Sequence, residues 1–93
     1  MALYLVSYDI AEKNPEDYQP LWDALETSGA RRVLYSQWVL PSSSLSGDVF
    51  EQIRELLHEG DGLLVQEITS GVTWQNLRIS DADFKVLARN LRV

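Results

Sequence analysis

The chain has no cysteine, one histidine, one methionine and three prolines in 93 residues, and each shortage removes a class of explanation. Without cysteine there is neither a disulfide framework nor a thiolate metal site, so a small secreted domain held by bridges is not expected and the cytoplasm is the expected compartment. With His58 as the single histidine, one chain cannot build a multi-histidine metal site. Long apolar runs are missing too: Met1-Ala2-Leu3-Tyr4-Leu5-Val6 carries no basic leader and is interrupted by Ser7 and Asp9, so neither a signal peptide nor a membrane partner is expected. Basic residues are scarce. Eight Lys and Arg face fourteen Asp and Glu, and the formal charge of −6 repels nucleic acid on average, so a nucleic-acid function needs a local basic patch. No P-loop, dinucleotide fingerprint, nucleophile elbow or zinc motif occurs, and those enzyme classes have no support.

What is present is an ordinary globular composition, 45% hydrophobic and 10% aromatic. A chain of this length buries only around 60% of the surface its unfolded form exposes. One domain over residues 1–93 is expected, with a core of about 2–78 and a helical extension of about 80–92. Self-association would add to its stability.

Ala2 to Tyr8 is short, apolar and rich in aromatic and β-branched residues, which predicts a strand. Tyr4, Val6 and Tyr8 share one face and Leu3, Leu5, Ser7 and Asp9 the other, so both faces need cover and a second subunit is one way to supply it. Asp17 is a candidate cap for a helix in which Leu21, Trp22 and Leu25 recur at helical spacing, and Gly29 follows where a helix end wants a left-handed residue. Arg32 to Leu40 has strand composition and stops at Pro41 and Ser42-Ser43-Ser44; it reads either as one bent strand or as two, divided near Ser36. Ser46 or Asp48 then caps a helix with an apolar stripe of Val49, Phe50, Ile53, Leu56 and Leu57, ended by Gly60-Asp61-Gly62. Leu63 to Thr69 predicts another strand, and Val72 to Leu77 a last one. Ser80 with Asp83 resembles a capping box before Phe84, Leu87, Ala88 and Leu91 at helical spacing, which predicts a C-terminal helix. The class is α/β in the broad sense, α+β in detail: a ferredoxin-like sandwich of an antiparallel sheet with helices on one face, plus the C-terminal helix.

Asp9 closes the first strand, where open α/β sheets place ligand groups. A carboxylate there suits Mg²⁺ or Mn²⁺, which take oxygen ligands and keep waters, one of which attacks a phosphodiester in metal-dependent hydrolysis. The structural alternative is a strand-end Asp that only bonds the next turn. Leu5-Val6-Ser7-Tyr8-Asp9-Ile10, a helix ending at Gly29, then Arg31 and Leu34-Tyr35-Ser36-Gln37-Trp38-Val39-Leu40 together resemble the CRISPR-associated Cas-two family and its stand-alone relatives, which include VapD-like proteins. The likeness covers about residues 3–68. It implies a ferredoxin-like homodimer with two Asp9 side chains near the two-fold axis as metal ligands, metal-dependent endoribonuclease or endonuclease activity in some members, and a bridging role in CRISPR systems. On the same resemblance Asp9 and Ser36 are the catalytic candidates, and Arg31 and Arg32 the candidates for nucleic-acid phosphates.

This chain departs from the family in its first loop and helix. There Glu12, Glu16, Asp17, Asp23 and Glu26 outnumber Lys13, whereas CRISPR-type members usually carry Arg or Lys. The acidic charge favours a different reading, a non-catalytic dimerisation or adaptor module in which Asp9 fixes a turn. Arg78, Lys85, Arg89 and Arg92 make the C-terminal segment the most basic part of the chain. Lys85 and Arg89, one helical turn apart, form a modest anion-binding face or ordinary dipole compensation.

Overall fold

The structure, a computed structural model, describes residues 1–11 and 14–89. Four strands and three helices follow one another as β1 (Ala2–Asp9), α1 (Gln19–Thr27), β2 (Arg31–Leu34), β3 (Gln37–Ser42), α2 (Ser46–Arg54), β4 (Gly62–Glu67) and α3 (Asp81–Ala88), with a single 3₁₀ turn at Pro15–Tyr18 before α1. The strands form one sheet in the order β2-β3-β1-β4, and every neighbouring pair is antiparallel. The class is α+β. Among the described residues no helix is long and apolar enough to cross a membrane.

β1 is central because its alternation is apolar on both sides. Tyr4, Val6 and Tyr8 face α1 and α2, in a core with Tyr18, Leu21, Leu25, Trp38, Leu40, Val49 and Ile53. Leu3 joins Val33, Val39, Phe84 and Leu87 in a second core on the opposite face, with Leu5, Val72, Trp74 and Leu77 packed against it. The cover for that second face therefore comes from the chain's own residues 68–88, where a second subunit was one expected source. Helices lie on both faces of the sheet, α3 being the one that the single-layer expectation set aside as an extension.

Local chemistry explains the boundaries. The end of α1 follows the sequence closely: Gly29 has φ +90°, its N–H donates to the Glu26 carbonyl at 3.0 Å, and Ala30 N–H donates to the Leu25 carbonyl at 2.9 Å. That pair of bonds is a Schellman motif, and glycine takes the left-handed position at no steric cost. The start of α1 differs from expectation. Its N-cap is Tyr18, with no side-chain cap bond and Asp17 left inside the preceding 3₁₀ turn, and Pro20 in its first turn has no N–H that needs a partner. The α2 N-cap is Leu45, again without a side-chain bond; neither Ser46 nor Asp48 caps, and Asp48 instead sits in the first turn, where its charge complements the helix dipole. α3 begins as its sequence predicts, Ser80 Oγ accepting from the Asp83 N–H at 3.1 Å. Asn90 and Leu91, at the far end of the predicted helix, lie outside the described residues, as do Glu12 and Lys13.

Two strand expectations need correction. β3 runs through Pro41 to Ser42, because the β2 ladder stops at the Arg31–Val39 pair and leaves the outer edge of β3 open where the proline sits. Val72 to Leu77 is irregular, not a strand. Asn76 there has φ 55°, and the segment turns its apolar side chains onto the second core; just after it, Arg78 N–H donates to the Val33 carbonyl of the sheet edge at 2.9 Å. The Arg32 to Leu40 stretch is two strands, joined through Tyr35 and Ser36.

Candidate functional site

At the carboxyl end of β1 the chain passes from a buried Tyr8 to an exposed Asp9. Asp9 pairs with Gly62 of β4, and Tyr8 N–H donates to the Ser36 carbonyl at 3.1 Å. These pairings bring Ser7, Asp9, Ser36 and Gln37 to one shallow groove of about 380 Å³, with Leu63 and Leu64 along its other side. The two catalytic candidates, Asp9 and Ser36, thus share a surface although 27 positions separate them in the sequence. Gln37 Nε2 donates to Ser7 Oγ at 3.0 Å, which orders the groove floor.

For Mg²⁺ or Mn²⁺ the donor set of this groove is one carboxylate, the Ser7 and Ser36 hydroxyls and the Gln37 amide oxygen. The described residues contain no group of three or more His, Cys, Asp or Glu side chains that could hold a metal ion. Oxygen donors suit these cations, and Asp9 is the one carboxylate among the groove's lining residues.

The phosphate candidates lie elsewhere. Arg31, on the edge strand β2, is paired with Asp83 of α3 at 3.3 Å, both side chains being about half exposed. Arg32 is enclosed by rings: its guanidinium carbon lies 5.0 Å from the centroid of Trp22, 5.4 Å from Tyr35 and 5.7 Å from Trp38. Its Nε donates to the Tyr35 carbonyl at 3.0 Å. One terminal nitrogen reaches the Tyr8 hydroxyl at 3.5 Å.

That hydroxyl is the centre of the arrangement. Trp38 Nε1 donates to it at 3.0 Å and Trp22 Nε1 at 3.1 Å. Tyr8 and Trp38 are each 4% exposed, so the Trp38–Tyr8 bond is closed to water. The residue before Asp9 is fixed in place by donors from α1, β3 and β2. Sequence reading assigns these rings to core or interface. It has no signal for their convergence, since the partners come from positions 8, 22, 32, 35 and 38 on separate elements.

A second polar junction holds the loop that leaves Asp9. Asp61 accepts from the Ala11 N–H at 2.7 Å, the Tyr18 hydroxyl at 2.9 Å and the His58 N–H at 2.8 Å. Burial raises its carboxyl pKa, but the Ala11 and His58 backbone bonds, the Tyr18 bond and the His58 charge outweigh that and leave it below the usual aspartate value. The sign follows: a carboxyl more acidic when folded contributes stability that is present above the unfolded pKa and disappears as pH falls through the folded one. Asp61→Asn is therefore expected to be less stable than wild type at neutral pH by on the order of 2 kcal/mol. The gap should begin to narrow as urea melts are taken below the ordinary aspartate range of about pH 4, and close once the folded carboxyl is itself protonated. A constant gap across pH would assign the loss to packing.

His58, whose ring centroid is 5.1 Å from that of Tyr18, lies beyond the end of α2. α2 stops at Arg54, earlier than its apolar stripe predicts, and the chain tightens through Leu56 N–H to Ile53 and Leu57 N–H to Arg54 carbonyl bonds. No family model matches this chain, and no solved structure matches it.

Proposed function

We propose that the protein is a ferredoxin-like, Cas-two-like homodimer of the cytoplasm that binds nucleic acid, with Asp9 of each subunit as half of a shared Mg²⁺ or Mn²⁺ site. The observation that carries this reading is the meeting of Asp9 and Ser36 in one open groove at the carboxyl end of the central strand. The fold part is supported by the element order β1-α1-β2-β3-α2-β4 with sheet order β2-β3-β1-β4, the arrangement of a ferredoxin-like sandwich. A divalent cation held by two Asp9 carboxylates would lower the pKa of a bound water and stabilise charge on a phosphodiester. Ser36 and Ser7 would orient the scissile group, and Gln37 would keep the Ser7 hydroxyl turned to it. Because residues 68–88 already cover Leu3, Val33 and Val39, a second copy would meet the first beside β4, where Leu64 is 58% exposed next to the groove.

Titration of Mn²⁺ into the protein by calorimetry tests this, with light scattering on the same samples. Saturable binding near one ion per dimer, abolished by Asp9→Ala with the dimer intact, is the expected result. A monomer at micromolar concentration, or equal binding in the variant, removes the shared site. The formal charge of −6 favours a second reading, a non-catalytic adaptor in which Asp9 only closes the strand. On that reading no nucleic-acid substrate is cleaved with any divalent metal.

A further inference from the structure

In a chain with eight basic residues, three of them line one hollow. Arg31, Arg32 and Arg78 surround a concavity of about 210 Å³ at the β2 edge, with Glu26, Ala30, Trp38 and Ile79 completing the wall. Arg78 arrives there through its backbone bond to Val33, and its guanidinium carbon lies 5.9 Å from the Tyr35 ring, which Arg32 also approaches. Asp83 pairs with Arg31, whereas Arg32 and Arg78 have no carboxylate within salt-bridge distance among the described residues. Two cations held beside one ring without an ion pair repel each other, and the single negative charge of a backbone phosphate placed between them would offset part of that repulsion.

The geometry points to a phosphate-binding pocket for single-stranded nucleic acid, in which Arg31, Arg32 and Arg78 take the backbone and Tyr35 receives a base. The inference rests on the nucleic-acid reading above and names the strand class. Tyr35 is 73% exposed beside its two arginine neighbours, so most of its ring is open to a base. A duplex needs an extended basic surface, and this one is a single hollow flanked by Glu26 in a chain of charge −6, which suits one or two phosphates of a flexible strand. The two surfaces also adjoin. Tyr35 borders the arginines and Ser36, the next residue, borders the Asp9 groove, so a strand seated on Tyr35 would continue toward Asp9.

The test is fluorescence anisotropy at low salt with a labelled single-stranded oligonucleotide of about a dozen nucleotides, in RNA and DNA forms, against the same sequence as a duplex. Arg78→Ala and Tyr35→Ala are the informative variants, because both side chains are exposed and their loss leaves the core intact. Each is expected to weaken single-strand binding about tenfold. Arg78→Ala should also flatten the salt dependence by close to one phosphate contact. Arg54→Ala, an exposed arginine paired with Glu51 on α2, should bind as wild type does. If wild type binds the single strand and both variants bind equally well, the pocket is wrong while the nucleic-acid reading stands. Equal or tighter binding of the duplex overturns the strand class. If no oligonucleotide binds wild type, the pocket and the nucleic-acid reading fail together.

Discussion

Tyr8→Phe loses about 3 kcal/mol of stability in urea denaturation, more than a single surface hydroxyl is worth, because the lost oxygen serves two indole donors at once. Trp38 Nε1 is closed to water, so it has no substitute acceptor and carries the full cost of an unpaired buried N–H. Trp22, half-buried, recovers part of its bond from solvent, and Arg32 is held less tightly among the rings. A double-mutant cycle separates these contributions: Trp38→Phe should cost at least about 1 kcal/mol less in the Tyr8→Phe background than in wild type. Additive losses would mean the Trp38–Tyr8 bond contributes nothing net. Far-ultraviolet circular dichroism should be unchanged, since no backbone bond depends on the hydroxyl.

Phe84→Ala is expected to cost about 3 to 4 kcal/mol, the largest single loss among the side chains of residues 68–88. Phe84 is 3% exposed against Leu3, Val33 and Val39, and its ring lies 4.4 Å from that of Trp74. Removing it empties the centre of the second core and releases the ring against which Trp74 packs. Trp74 Nε1 still donates to Asp81 at 2.9 Å, so the segment remains tethered at α3 while its packing loosens. Thermal melts measure the loss. Light scattering on the same variant shows whether the sheet face, once loosely covered, recruits a second chain. A cost under 1 kcal/mol would show that the segment contributes little to holding the sheet.

The residues explain which parts of this architecture were readable. Gly29 and Ser80 carry their own backbone chemistry, and both helix boundaries follow from them without tertiary information. The β2–β3 hairpin does not announce itself: its turn residues are Tyr35 and Ser36, neither with positive φ, where the Asn-Gly or Asp-Gly pair of the common two-residue hairpin would have marked it. Pro41 reads as a strand end only if the neighbouring strand is assumed to continue, and β2 is four residues long. Val72 to Leu77 has strand composition because its apolar residues must cover a sheet face, a demand that irregular backbone meets equally well. In the candidate site, the sequence names Asp9 and Ser36 one by one, but their shared groove depends on the pairing of β1 with β3 and β4, which no local signal in either residue's segment sets. Arg78 has no such signal either, because its place beside Arg32 depends on a backbone bond to Val33 across 45 positions.

The double covering of the sheet also makes its strands depend on a distant part of the chain. Leu3, Val33 and Val39 lie on β1, β2 and β3, but Phe84 and Leu87, which pack against them, come from α3. A chain cut after β4 would keep every strand of the sheet and leave one apolar face of it open to water, a surface of the kind that recruits other chains.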